Sequence, residues 1–281
     1  MPDQQSGAQR ASRHRIHALV MAFLLVGLAT AGGPVARPGA VNAAGLKVVV
    51  VVGPVGDRTA EYIDAGRRIA AQARSYGAGV VEIYSPYATF DRVRYHAYRA
   101  NLLVYIGHGN GWPSPYPPFQ PYTKDGMGLN AVSGRGNYNL KYYGEYYVDR
   151  YIQLAPDAVV ILHRLCYASG NSEWGSPDPS LSTARQRVDN FGAGFLRTGA
   201  KVVFAEGRYS TAYILYGLFR TNRSMGSIFW TSPSRTWIYR NAFTSSRTRG
   251  TWAYMDPERP GKYYRSIIGV TTTTAAAWRT P

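Results

Sequence analysis

The sequence predicts an α/β fold with a mostly parallel sheet and helices on both faces of that sheet. Three continuous apolar runs, KVVVVV at 47–52, LLVYI at 102–106 and AVVILH at 158–163, are typical of strands buried on both faces. Helical patterns alternate with the strands, which favours parallel pairing through crossovers. Because such crossovers are right-handed, the helices are expected on both faces.

The first strand ends at Gly53-Pro54, and Asp57 is placed to cap a helix predicted over 59–75, which Gly77 ends. The remaining elements follow the same alternation. They are strands at 80–84 and 201–205 and helices at 91–100, 180–198 and 211–220.

Two stretches depart from this alternation. Residues 109–137 are rich in Gly, Pro, Tyr and Asn and predict a long loop, a type of segment that usually carries function. Residues 139–153 place Tyr143, Tyr147 and Tyr151 at i+4 spacing, which indicates one face of a helix. Core packing is the favoured role for this stripe over a binding platform.

Beyond Ser224 the periodicity weakens, and Trp230, Trp237 and Trp252 indicate irregular but packed structure. We therefore divide the chain into residues 1–43, an α/β domain at 44–223, and a C-terminal extension at 224–281 packed on that domain. The sequence does not indicate whether the extension forms a separate subdomain.

The N-terminal 43 residues resemble a secretory signal peptide. Three arginines precede a 14-residue apolar run over 18–31, which is short for a membrane span, and Val41-Asn42-Ala43 offers small residues for cleavage. An uncleaved anchor is the alternative. Cleavage after Ala43 predicts a secreted protein with no integral membrane association, and it lowers the net charge from +16 to +13.

The 281 residues contain one cysteine, which excludes an internal disulfide framework and a multi-cysteine zinc module. Exported structural cysteines usually come in pairs. Cys166 is therefore either a small buried apolar group or a nucleophile.

Two reactive side chains follow the ends of predicted strands. His108 lies two residues beyond the 102–106 strand, and Cys166 lies three residues beyond the 158–163 strand. If these strands are neighbours, their ends are about 4.8 Å apart, so the imidazole and thiol could meet. The imidazole would activate the thiol and protonate a leaving amine. The N–H groups of Gly109 and Cys166 are the natural oxyanion donors.

These segments, LLVYIGHGNG and AVVILHRLCYASG, resemble the caspase-like cysteine peptidases, which include caspases, legumain, clostripain, gingipains and separase. The segment at 191–207 (FGAGFLRTGAKVVFAEG) is predicted as a helix followed by a strand. It also looks like the helix and strand that follow the nucleophile in gingipain-like members. The resemblance covers roughly residues 46–220. It implies a caspase-like three-layer sandwich that hydrolyses peptide bonds in peptides or proteins.

In this resemblance His108 is the general base and acid, Cys166 is the nucleophile, and Gly109 is an oxyanion donor. One departure is Leu165, since many members carry a small residue before the nucleophile. The chemistry needs no cofactor and no metal. His163-x-x-Cys166 lacks the partners of a transition-metal site, and no phosphate-loop motif follows Gly107.

Two acids are candidates for a substrate pocket. Glu206 sits at the carboxyl end of the strand predicted at 201–205, and Glu173 follows the cysteine turn. Either carboxylate could bind a basic substrate side chain, by a bidentate bond if that side chain is Arg. The alternative is that each acid pairs with one of the chain's own arginines.

Two other functions compete with peptidase activity. An inactive exported domain could bind peptide or cell-wall glycan through the aromatic loop at 112–123 (WPSPYPPFQPYT), although a lid over the crevice is the more economical interpretation of that loop. Nucleic-acid binding is disfavoured because the arginines are spread along the chain. The sequence gives no oligomeric state.

Overall fold

An eight-stranded sheet organises residues 45–280, which are the residues that the computed structural model describes. The predicted signal peptide lies outside them. The strands are β1 (Lys47–Val52), β2 (Gly79–Tyr84), β3 (Leu102–Ile106), β4 (Met127–Asn130), β5 (Leu140–Tyr143), β6 (Ala158–His163), β7 (Ala200–Glu206), β8 (Asn241–Thr244), β9 (Trp252–Met255) and β10 (Arg265–Gly269). The helices are α1 (Thr59–Ser75), α2 (Phe90–Ala97), α3 (Glu145–Tyr151), α4 (Leu181–Leu196), α5 (Ala212–Arg220), α6 (Met225–Phe229) and α7 (Ala275–Arg279).

The sheet has the strand order β2-β1-β3-β6-β7-β10-β9-β8. The first five of these strands are parallel, and β10, β9 and β8 continue the sheet in antiparallel pairs. The predicted α/β class with a mostly parallel sheet is therefore confirmed. β3 and β6 are direct neighbours, with Ile106 opposite His163, so the loops that carry His108 and Cys166 leave the same edge.

Helices cover both faces because the β-branched strand residues are buried on both sides. On β1, Val49 and Val51 pack into a core with α2, α3 and α4, and Val48 and Val50 pack into a second core with α1, α5, α6 and α7. The result is the three-layer sandwich that the sequence predicts.

The segment 139–153 differs from its prediction as one helix. Tyr143 ends β5, which pairs with β4 inside the predicted loop, and a helix begins only after Gly144. The tyrosine stripe packs as expected, because the Tyr143 and Tyr147 rings lie 4.6 Å and 5.5 Å from the Phe90 ring centroid. Asp57 was also wrongly assigned as a cap, since it accepts a hydrogen bond from the Tyr138 hydroxyl and makes no cap bond to α1.

The residues after Ser224 are more regular than the sequence predicts, and β10 joins the main sheet beside β7. Arg265 opens β10 fully buried, where its guanidinium pairs with Glu206 at 3.0 Å and with Asp256. A buried ion pair with additional hydrogen bonds compensates part of the desolvation that each charge costs. Within residues 45–280 we find no helix of the length and apolarity that a bilayer crossing requires.

Candidate functional site

The His108 and Cys166 loops touch through Gly109. A Cβ on residue 109 would overlap the carbonyl oxygen of Cys166 and lie 3.2 Å from its backbone nitrogen. Only glycine allows the two loops to approach this closely. The sequence-predicted His-Gly turn and the cysteine turn therefore pack against each other, although no hydrogen bond among the described residues joins the imidazole to the thiol.

Two amide groups at this contact are free. Within the described residues, no hydrogen bond uses the N–H of Gly109 or that of Cys166. Buried backbone donors are normally satisfied, so two unpaired N–H groups at the contact of these loops are candidates to bind a ligand oxygen. These are the two donors that the sequence analysis selected.

The cysteine turn has an unusual backbone. Arg164 and Tyr167, which flank Leu165 and Cys166, have positive φ angles of 62° and 70°. Residues other than Gly rarely adopt positive φ angles, and those that do cluster at functional sites. The turn is held at its start by the carbonyl of Glu206, which accepts from the Arg164 N–H at 2.8 Å.

Arg187 on α4 supports the same turn from the interior. It is 5% exposed and donates to the Pro113 carbonyl at 2.6 Å and to the Asn171 carbonyl at 2.8 Å. Its guanidinium lies 4.7 Å from the Tyr167 ring centroid. Arg187 thus joins the aromatic loop to the cysteine turn, a role that sequence reasoning missed.

Burial keeps both reactive groups neutral. It is the main cause that raises the pKa of Cys166 to about 11, and the Glu173 carboxylate adds to this effect. The Trp174 N–H and the Arg187 charge oppose it. Burial also lowers the pKa of His108, against which the Glu173 charge acts. A neutral imidazole is the form that accepts a proton.

A cleft of about 640 Å³ opens at the cysteine. Cys166 lines it together with Leu165, Glu173 and Trp174, and Trp174 is fully exposed. The lining is rich in charges, and most are already paired. The ion pairs among cleft residues are Arg58–Glu61 at 3.0 Å, Arg164–Glu61 at 2.6 Å and Lys262–Asp178 at 2.5 Å.

Glu173 is the acid in this lining without an ion pair among residues 45–280. Its carboxylate accepts a hydrogen bond from Ser176 at 3.3 Å and raises the pKa of the exposed Tyr116 on the aromatic loop. The structure thus brings one of the two candidate pocket acids to the cysteine. His108 is half-buried and does not line the cleft itself.

Glu206, the other candidate, is not in the cleft. Its side chain is fully buried, and its carboxylate is bonded by Arg265 and by the Tyr213 hydroxyl. The expectation of a pocket role for Glu206 is corrected, because its charge is compensated by an arginine of the chain itself. Desolvation raises the pKa of Glu206 to about 7.

The aromatic loop at 112–123 is anchored at its base and exposed at its tip. The Trp112 N–H donates to the buried Asp125 at 2.9 Å, and the Trp112 carbonyl accepts from Asn190 at 2.8 Å. Lys124 is buried beneath the loop, donating to Ser114 at 2.7 Å and lying 5.0 Å from the Trp112 ring centroid. Tyr116 and the other rings farther along the loop remain exposed.

His163 is a core histidine, as expected. It is buried, its Nδ1 lies 3.1 Å from the Glu206 carbonyl, and desolvation lowers its pKa to about 4. Among the described residues, no group of three or more His, Cys, Asp and Glu side chains is placed to hold a metal ion.

No protein-family model and no curated protein sequence matches the chain. A search of solved structures finds a likeness to gingipain R, described as an Arg-specific cysteine proteinase, with 11% sequence identity and a TM-score of 0.35. The match covers 85% of this chain and 63% of that one, so the chain spans less than two thirds of the length of gingipain R.

Proposed function

We propose that the protein is a cysteine peptidase that hydrolyses peptide bonds with Cys166 and His108. The observation that carries the proposal is the contact of Gly109 with the Cys166 backbone. It brings a His-Gly turn against the lone cysteine at the carboxyl edge of two neighbouring parallel strands. Ligands of α/β sheets bind at that edge. The cleft of about 640 Å³ at Cys166 has room for substrate side chains.

In the proposed reaction, His108 takes the thiol proton as Cys166 Sγ attacks the scissile carbonyl carbon. The oxyanion of the tetrahedral intermediate accepts hydrogen bonds from the free N–H groups of Gly109 and Cys166. The C–N bond then breaks, and the imidazolium gives its proton to the leaving amine. His108 next deprotonates a water that attacks the thioester carbonyl, which releases the carboxylic acid and restores the thiol.

The resting state that fits this mechanism is a neutral pair, because the pKa of Cys166 is raised to about 11 and that of His108 is lowered. The thiol therefore depends on a base at the moment of attack. The mechanism requires the two side chains to come into a hydrogen bond that no described contact makes in the unliganded protein, and catalytic hydrogen bonds often tighten only when substrate binds.

Glu173 is the proposed recognition group for a basic substrate side chain. It lines the cleft beside Cys166 and has no ion-pair partner among the described residues. An arginine of the substrate would supply two hydrogen bonds to this carboxylate.

The test is labelling with a thiol-directed peptide probe. Wild type should label rapidly, Cys166→Ala should not label, and His108→Ala should label at least about a hundredfold more slowly, the typical contribution of a general base. His96→Ala is the matched control, because His96 lies on α2 and lines no part of the cleft. Equal labelling of wild type and His108→Ala would contradict a base-activated thiol.

A second candidate is a binding domain without catalysis, which the exposed rings of the aromatic loop favour. Tyr116, Phe119 and Tyr122 are exposed, and aromatic rings of this kind can stack on a sugar or peptide. A folded protein that fails to label but binds cell-wall glycan, with loss of binding on Tyr116→Ala, would support this candidate.

We also propose that the protein is exported and cleaved near Ala43, on the strength of the leader sequence. N-terminal sequencing of protein recovered from the medium should begin at or near residue 44. Recovery of a membrane-bound chain that begins at residue 1 would favour the uncleaved anchor.

A further inference from the structure

Three consecutive large apolar side chains, none of which lines the cleft, are exposed just before the edge strand β8. Trp237, Ile238 and Tyr239 are 46%, 74% and 45% exposed. Residues 235–240 (RTWIYR), which we call the aromatic tip, contain these three side chains between two arginines. Single exposed apolar residues are common, whereas contiguous exposed apolar groups mark contact surfaces.

The aromatic tip is held in one conformation. The buried carboxylate of Asp256 accepts from the Thr236 N–H at 3.0 Å and from the Trp237 N–H at 2.7 Å. Trp237 has a φ of 67°, and its ring packs 4.6 Å from that of Trp230. A bulky residue in this backbone region persists only where its surroundings over-determine it. The fold therefore preorganises an apolar protrusion.

The chain segment that contains the aromatic tip is rich in arginine. Residues 207–255 contain seven Arg and no Lys, Asp or Glu, and two of the seven, Arg208 and Arg247, are paired with Glu258 and Glu145. Arg235 and Arg240 are exposed, and neither is in an ion pair within residues 45–280. Each donates one hydrogen bond to the tip region, to the Trp230 carbonyl at 3.1 Å and to the Trp237 carbonyl at 3.1 Å. Each guanidinium has five donor hydrogens, so most remain free for an anion.

We propose that the aromatic tip docks the protein on the surface of an anionic lipid bilayer. Trp and Tyr rings favour the headgroup region, and paired arginines bind lipid phosphates. Ile238 decides between a bilayer and an anionic polymer, because its aliphatic side chain, the most exposed of the three, gains free energy only in an apolar phase. The docking is peripheral and is separate from the proposed peptidase chemistry.

The test uses the full chain with Cys166→Ser and Ile238→Cys, carrying an environment-sensitive dye at position 238. The dye reports the tip itself, whatever other part of the chain also contacts a vesicle. Its matched control carries the dye through Tyr95→Cys. Tyr95 is 76% exposed on α2, which packs against β1 and β2 at the opposite end of the sheet.

With vesicles of phosphatidylglycerol and phosphatidylcholine, the dye at 238 should shift to shorter wavelength and the dye at 95 should not. The shift should vanish with phosphatidylcholine alone and weaken at high salt. The absence of a shift at 238, equal shifts at both positions, or the same shift with soluble heparin as with vesicles would overturn the proposal.

A second comparison tests the arginines. Arg235→Gln with Arg240→Gln should raise the lipid concentration for half-maximal response by roughly twentyfold or more, about fivefold for each charge. Arg92→Gln with Arg94→Gln removes the same charge from exposed positions on α2 and should change it by less than about twofold. If the two double variants have equal effects, vesicle binding depends only on the net charge of the protein, which would contradict a role for the aromatic tip.

Discussion

The Arg187 guanidinium lies over the Tyr167 ring, 4.7 Å from its centroid, and thereby places a buried cation next to the residue that follows Cys166. The same side chain binds the carbonyls of Pro113 and Asn171. One arginine thus couples the position of the cysteine turn, the base of the aromatic loop and the electrostatic potential at the thiol.

Replacing this arginine should affect both stability and thiol reactivity. Arg187→Met leaves the buried Asn171 carbonyl and the partly buried Pro113 carbonyl without this donor, so we expect a loss of about 1–3 kcal/mol in the free energy of unfolding, measured by urea denaturation. Because the Arg187 charge lowers the pKa of Cys166, the variant's thiol should titrate at higher pH in an alkylation-rate profile.

Arg185→Met is the control for this prediction. Arg185 is on the same helix but donates to Asn241 at 2.8 Å, away from the cysteine turn. Its pH profile for Cys166 alkylation should match that of wild type. Identical profiles in both variants would show that Arg187 does not act on the thiol.

The close packing of Gly109 gives a second prediction. Gly109→Ala forces a methyl group onto the Cys166 carbonyl, so the two loops must separate. We expect probe labelling to slow by about a hundredfold, since small misplacements of reacting groups are costly. Gly79→Ala is the control, because its new Cβ would meet its nearest neighbour, the Leu46 carbonyl, at 3.8 Å. Unchanged labelling of Gly109→Ala would contradict the loop contact.

Glu173 is expected to tune both reactive groups. Its charge raises the pKa of Cys166 and also that of His108, so Glu173→Gln should lower both. At a pH below the thiol pKa, the alkylation rate should rise roughly threefold or more. The proposed preference for peptides with a basic side chain should disappear in kcat/KM.

Asp178→Asn is the matched variant for Glu173→Gln. Asp178 lines the same cleft but is paired with Lys262 at 2.5 Å. It should leave both the thiol profile and the substrate preference in place. If the two variants behave alike, the effect belongs to the net charge of the cleft and not to Glu173.

Asp125 should make stability depend on pH. Desolvation raises its pKa from 3.8 to about 8, and Oδ2 has no hydrogen-bond partner within the described residues. Below pH 3.8 the carboxyl is protonated in both states. Between pH 3.8 and pH 8 the unfolded chain releases this proton readily, whereas the folded protein either retains the proton or buries a charged carboxylate. The stability that the protonated Asp125 contributes at low pH is therefore lost as the pH rises towards 8.

Asp125→Asn removes this titration. Relative to wild type, the free energy of unfolding should be similar at pH 4 and higher in the variant by on the order of a few kcal/mol at pH 9. Comparison at equal pH cancels other groups, such as His163, whose lowered pKa stabilises the fold as pH rises. A wild-type-minus-variant difference that is flat with pH would refute the assignment.

The sequence predicted the parallel half of the fold well. The bounds of β1, β3 and β6 match their apolar runs, because strands buried on both faces leave an uninterrupted signal. The same runs located the neighbouring strand ends, so the contact between the His108 and Cys166 turns followed from the strand order.

The antiparallel half was missed for a physical reason. β8 and β9 are four residues long, and β10 begins with the buried Arg265, so no apolar run stands out. Tyrosines at i+4 spacing suit a strand end followed by a helix as well as they suit one helix, and only Gly144 marked the break.

Side-chain roles that depend on tertiary partners were also hidden. Glu206 follows a strand as a pocket residue would, but its partner Arg265 lies 59 positions later. For Arg187 a signal existed. On α4, Arg187 lies on the same helix face as the apolar Ala184, three residues before it, and Phe191, four residues after it. A charged residue on a buried apolar face indicates an interior charge that is compensated by hydrogen bonds or an opposite charge.

The segment 263–265 has a consequence for how the chain matures. The Tyr263 carbonyl accepts from Ser169 in the cysteine turn at 2.8 Å, the Tyr264 carbonyl accepts from the Gly207 N–H at 2.8 Å, and Arg265 neutralises Glu206. A polypeptide still being synthesised, or clipped before residue 263, has every proposed reacting group and yet lacks the brace behind them. The contacts behind the cysteine turn therefore form only after the last strand, β10, has been reached by the chain.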